Sequence, residues 1–146
     1  MKLRYYQKYA DEAAIDWMKK STEPALIEAF QGAGKSLIIA SIAKKVREMS
    51  GKYVLCLVPS ATLLKQNSDK FKALGEHVSM FSASLKSKSL RYPCVLATPM
   101  SVKNSLDKFK IQFAAVILDE ADRSLTPTIL YIIDKLREKN PNLRVL

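Results

Sequence analysis

The chain predicts an α/β domain with a mostly parallel central sheet and helices on both faces. Three observations lead there. Short apolar runs alternate with longer amphipathic segments along the 146 residues. One run, Tyr53–Val58, is nearly unbroken, the signature of a strand buried on both faces. Glycine, proline or hydroxyl residues follow many of the runs, where a strand would hand over to a helix. The length fits one domain, and a hydrophobic share of 48% is that of a globular core.

In order, Tyr5 to Lys20 reads as an amphipathic helix, with Tyr6, Tyr9, Ala10, Ala13, Ile15 and Trp17 as its apolar surface. Trp17 is read as a packing residue rather than a base-stacking platform. The polar break Ser21–Pro24 precedes a short strand, Ala25–Phe30. A tight turn over Gln31–Gly34 opens a helix from Lys35 to Met49, ending near Gly51. Tyr53–Val58 is a strand stopped by Pro59, and Ser60 caps a helix running to about Ala73. Val78–Phe81 is a strand and Ser82–Ser89 a polar connection, whose Lys86 and Lys88, like the later Arg91, read as solvated surface. Pro93–Thr98 is a strand, followed by a short helix near Met100–Leu106. Ala114–Leu118 is a strand, Thr126 to Lys139 a helix, and Leu143–Leu146 a last strand.

Charge narrows the function. Lys plus Arg number 24 against 14 acids, a net +10 with a pI near 9.6. Such an excess attracts polyanions, although a solvated lysine surface gives the same count. No apolar run approaches the roughly 20 residues of a membrane helix. The N-terminus lacks the apolar stretch of a secretory signal. No membrane partner and a cytoplasmic location are therefore expected. Cys56 and Cys94 stand alone in apolar runs and read as buried, reduced thiols. With His77 as the single histidine, a zinc site is not expected.

Two segments carry the chemistry. Ala29-Phe30-Gln31-Gly32-Ala33-Gly34-Lys35-Ser36 follows a strand and opens a helix. There, converging N–H groups and the helix dipole suit a phosphate. Lys35 would reach β- and γ-phosphates and the Ser36 hydroxyl would ligate Mg²⁺. The strict P-loop pattern begins with glycine, and Ala29 stands in its place. Val116-Ile117-Leu118 ends in Asp119-Glu120, so both acids fall at the same sheet edge. Asp119 would hold Mg²⁺, directly or through water, and Glu120 would polarise the attacking water.

These segments resemble motifs I and II of superfamily-two helicases, the second spelling Asp119-Glu120-Ala121-Asp122. The resemblance covers essentially the whole chain and implies a RecA-like P-loop domain binding ATP and Mg²⁺. Leu3-Arg4-Tyr5-Tyr6-Gln7 resembles the family's adenine-reading element, with Tyr5 for the usual proline. By that likeness Gln7 would bond the adenine edge and Arg4 lie against the base. Val58-Pro59-Ser60-Ala61-Thr62-Leu63-Leu64-Lys65-Gln66 resembles motif Ia, and Ala97-Thr98-Pro99-Met100-Ser101 resembles motif Ib. Both imply contacts to a nucleic-acid backbone, through Pro59, Ser60, Thr98, Pro99 and Ser101. The subfamily most similar in order and spacing is the RadD-like repair ATPases, which implies DNA rather than RNA. Those usually carry a different third and fourth residue in motif II.

The family continues beyond this point with motif III and a second RecA-like lobe bearing arginine fingers. Residues 1–146 are thus read as the first lobe, expected to need that second lobe, or a partner chain, for efficient hydrolysis and strand translocation. A non-hydrolysing nucleic-acid-binding or regulatory module is the alternative. A P-loop phosphotransferase ranks third, since it leaves the Pro59 and Thr98 segments unexplained.

Overall fold

The computed structural model describes residues 5–21, 35–82, 87–88, 90–109, 112–118 and 126–145. The expected strand Ala25–Phe30 and the turn before Lys35 lie outside them. Helix α1 spans Tyr5–Lys20, α2 Lys35–Ser50 and α3 Ala61–Ala73. Two short strands, β2 (Val78–Ser82) and β3 (Ser87–Lys88), come after β1 (Tyr53–Leu57) and α3. Next come β4 (Cys94–Ala97), α4 (Pro99–Lys103) and a 3-10 turn at Leu106–Lys108. Strand β5 (Phe113–Leu118), α5 (Pro127–Lys139) and β6 (Arg144–Val145) complete the order.

Among the described residues the strands form one sheet, ordered β3-β2-β4-β1-β5-β6. All neighbours run parallel except β2 and β3. That antiparallel pair corrects the expected polar connection: Phe81 faces Lys88 and Ser82 faces Ser87. Two residues carry too little pattern to announce a strand, and the partner's backbone supplies the rest. The helix expected to reach Leu106 stops at Lys103, and the chain tightens into the 3-10 turn.

The apolar runs divide by alternation. In β1, Val54 and Cys56 enter one core with Ile38, Ile42, Leu64 and Phe71 from α2 and α3. Leu55 and Leu57 enter the other, with Val102, Ile129, Ile132 and Leu136 from α4 and α5. Each fully buried large side chain contributes about 1.5–3 kcal/mol, so a strand feeding both cores is held from both sides. On the second face Phe109 meets Phe81 edge-on at 4.9 Å and stacks on Phe113 at 5.7 Å.

Helix α1 packs against α2 by only part of the face expected: Ile15 is buried and Ala10 packs against the core. Ala14, Ile15 and Met18 are buried, whereas Tyr9 is 75% and Trp17 41% exposed. The buried positions recur at three- and four-residue steps, and the aromatic residues fall outside that stripe.

Two ends are shaped by particular residues. Ser60 adopts an extended backbone and its Oγ accepts from Leu63 N at 3.3 Å, capping α3 as expected. At the other end Gly75, with φ of 76°, closes a Schellman turn: Gly75 N donates to Lys72 O and Glu76 N to Phe71 O, each at 3.0 Å. That turn aims Glu76 back at α2, where its Oε2 receives Arg47 Nε at 2.5 Å. The hydrogen bond and charge of Glu76 raise the Arg47 pKa.

Candidate functional site

Chain direction decides where the candidate residues meet. Strands β1, β2, β4 and β5 run parallel, so Leu57, Ser82, Ala97 and Leu118 end at one sheet edge. Leu57 pairs with Ala97 on one side and Leu118 on the other. Pro59–Ser60 therefore leave the sheet beside Thr98–Pro99, and Leu118 ends the neighbouring strand on the other side.

Helix α2 runs the opposite way. It connects to β1 through Gly51–Lys52 alone, and its last turn faces the start of β5: Val46, Met49 and Ser50 share a concavity with Ala114. Its 16 residues span about 24 Å at a rise of about 1.5 Å per residue. The backbone of Lys35 thus opens the helix at the edge where β1, β4 and β5 end. This is the geometry in which orphan helix N–H groups and a strand-end carboxylate can face one anion and its cation.

The described candidates divide in two. Ser60 and Pro59 are exposed. The Ser60 Oγ is occupied as an acceptor by the α3 cap, which leaves its O–H free to donate outward. Thr98 is the cap of α4 yet makes no side-chain cap bond. Its Oγ1 lies 2.8 Å from Ser101 Oγ, so the two hydroxyls form a pair. Pro99 occupies the first turn of α4, where its missing N–H is harmless. Ser101 is buried and Thr98 half-buried, so Thr98 is the more accessible of the pair.

The remaining candidates are Arg4, Gln7, Gln31, Gly32, Ala33, Gly34, Lys35, Ser36, Asp119 and Glu120. Arg4, Gln31 to Gly34, Asp119 and Glu120 lie outside the described residues, as do the side chains of Gln7, Lys35 and Ser36. What the fold provides for them is the helix start and the strand end that flank them.

One residue escaped the sequence reading. Ser82, at the end of β2, is wholly buried, and its Oγ has no hydrogen-bond partner among the described residues. It stands at the same edge as Thr98, whose N donates to Phe81 O at 3.4 Å. Its position directly after an apolar run was the available signal. Cys56 and Cys94 are buried thiols, neither in a disulfide, as expected. Among the described residues no helix is long and apolar enough to cross a membrane.

This architecture is that of the RecA-like lobes of helicases. Over 99% of its length the chain superposes on 51% of the UvsW helicase from Bacteriophage T4, with a TM-score of 0.78 and 22% identity. The Hef helicase domain of Pyrococcus furiosus is 24% identical, with a TM-score of 0.73 over 97% of this chain and 31% of that one. The Type ISP restriction-modification enzyme LlaGI, solved with a DNA substrate mimic, is 25% identical, with a TM-score of 0.66 over 100% of this chain and 17% of that one. The chain spans about half the length of the first of these and less of the others. No curated protein matches it. The profile described as Type III restriction enzyme, res subunit (ResIII) matches residues 1–144, and the chain belongs to that family.

Proposed function

We propose that residues 1–146 are the first motor lobe of a nucleic-acid-dependent ATPase, a DNA helicase or translocase that binds ATP and Mg²⁺. The observation that carries this reading is the meeting of three things at one sheet edge. The start of α2 at Lys35, the end of β5 at Leu118 and the hydroxyl-bearing turns at Ser60 and Thr98 all belong to it. Family membership supports the same reading.

In it, N–H groups of Gln31 to Gly34 and the Lys35 ammonium would hold the phosphates, with Ser36 and Asp119 as Mg²⁺ ligands. The bound Mg²⁺ would neutralise charge on the phosphates. Glu120 would orient and polarise the attacking water, while Arg4 and Gln7 would read the adenine. Pro59, Ser60, Thr98, Pro99 and Ser101 would follow a nucleic-acid backbone, with hydroxyls and main-chain N–H groups contacting phosphates without reading bases. Rapid turnover would need a second lobe, since an arginine finger from such a lobe is worth about 10³–10⁵ in rate. The Leu3-Arg4-Tyr5-Tyr6-Gln7 element and motif order support a RadD-like subfamily, and through it DNA over RNA.

Calorimetric titration of the chain with ADP and Mg²⁺, beside Lys35→Ala, tests the phosphate site. Binding by the wild type that vanishes in the variant is the expected result. A folded wild type that binds no nucleotide would favour a non-hydrolysing nucleic-acid-binding module.

A further inference from the structure

At the opposite edge of the sheet, the concavity that Val46, Met49 and Ser50 share with Ala114 encloses about 300 Å³ between the last turns of α1 and α2 and the strand starts of β5 and β6. Its lining is two-natured. Ile15, Val46 and Met49 give it an apolar wall, and Lys19, Lys52 and Arg144 give it three cations with no carboxylate among the described lining residues.

Arg144 Nε donates to Met18 O at 2.6 Å and one terminal nitrogen to Asn142 O at 2.7 Å, so the guanidinium is held in place by neutral carbonyls. None of the three pairs with a carboxylate among the described residues. The nearby Glu48 is 3.7 Å from Arg47 instead. The Asn140 amide is already engaged: its Nδ2 donates to Phe113 O at 2.9 Å, and its Oδ1 accepts from Asn142 N at 3.1 Å. Recognition there falls to a guanidinium held by two carbonyls, two exposed lysines and an apolar wall on which Met49 is 56% exposed.

We propose that this concavity docks an acidic peptide segment of a protein partner, anchored by one large apolar side chain. Its volume is at the small end for a binding pocket and suits a single anchor. Carboxylates on either side of that anchor would meet Lys19, Lys52 and Arg144. Nucleic acid fits poorly, because no aromatic side chain in the described lining offers a stacking platform. The site also faces away from the Ser60 and Thr98 edge, so a partner held there would leave that edge open.

The test uses fluorescein-Gly-Glu-Asp-Glu-Phe-Leu-Glu-Asp-Gly as probe, with fluorescence anisotropy for affinity and amide chemical shifts for location. Saturable binding is expected, weakened about fivefold or more when Phe-Leu becomes Ala-Ala in the peptide, or in Met49→Glu and Lys52→Glu of the protein. Both substitutions are at exposed positions, and unchanged thermal unfolding would separate lost binding from lost fold. Shift changes should centre on Met49, Lys52 and Ala114. The proposal is overturned by no binding at about 1 mM peptide, by equal affinity in both variants, or by shifts centred on Ser60 and Thr98. Displacement of the probe by single-stranded oligothymidylate would overturn it too, in favour of nucleic acid.

Discussion

Ser60 performs a structural task whatever it does with a ligand. Its Oγ satisfies the Leu63 N–H that α3 would otherwise leave orphaned. Ser60→Ala should therefore destabilise the chain by about 1 kcal/mol in urea unfolding, and Ser60→Asn should restore most of the loss. Equal stability of all three would remove the cap from the account. Cys94 poses a different question. Its Sγ lies 3.7 Å from Glu76 Oε2. Burial foremost, then the Glu76 charge, pushes its pKa from 9.0 up to about 12, with Arg47 pulling the other way. A thiol raised in this way contributes stability in full below pH 9.0 and loses it as pH rises toward about 12, because the unfolded chain releases its proton first. Stability measured from about pH 8 to about pH 11 should fall more steeply in the wild type than in Cys94→Ala. Parallel slopes would mean that Cys94 ionises alike in both states.

Among the elements, the connection between β4 and β5 depends on its aromatic residues. Helix α4 is only five residues long, too short to hold itself by backbone bonds alone. Phe109 sits beyond it, fully buried between Phe81 and Phe113, with its carbonyl accepting from the Lys139 ammonium of α5. It thereby fastens packing from two strands, β2 and β5, to one helix. Phe109→Ala is expected to cost about 3–5 kcal/mol in equilibrium unfolding. A loss below about 1 kcal/mol would mean the site collapses freely around the gap. The Arg47–Glu76 pair works similarly on the other face, tying the last turn of α2 to the Gly75 turn.

For the whole molecule, charge is the property that reaches furthest. A net +10 gives no specificity of its own but sets the attraction to a phosphate backbone. If the Ser60 and Thr98 edge follows such a backbone, affinity for a single-stranded oligonucleotide should fall linearly on a log–log plot against salt. The slope for single strands is about −0.7 per phosphate neutralised. Ser60→Ala and Thr98→Ala should weaken binding by similar factors on all sequences, since neither hydroxyl reads a base. A flat salt dependence, or a sequence-selective loss, would contradict that assignment.

Much of this was legible beforehand because both signals are local. The run Tyr53–Val58 announces a doubly buried strand by composition alone, Ala114–Leu118 reads as a further strand, and Pro59, Ser60 and Thr126 mark the boundaries that follow strands or open helices. The order of the glycine-rich and acidic segments pointed to a superfamily-two helicase lobe in the same way, and the match of residues 1–144 to the ResIII family agrees with it. Other features depend on partners distant in sequence. The β3 strand exists because β2 lies beside it, and the burial of Ala14 and Met18 in place of Tyr9 and Trp17 depends on where α2 meets α1. The Arg47–Glu76–Cys94 contact joins three elements through a glycine turn, and the Lys52–Arg144 concavity joins both ends of the chain. Local pattern sets which residues become helix or strand and which chemistry they carry. Only tertiary packing decides which strands are neighbours, and with that which hydroxyls and cations share an edge.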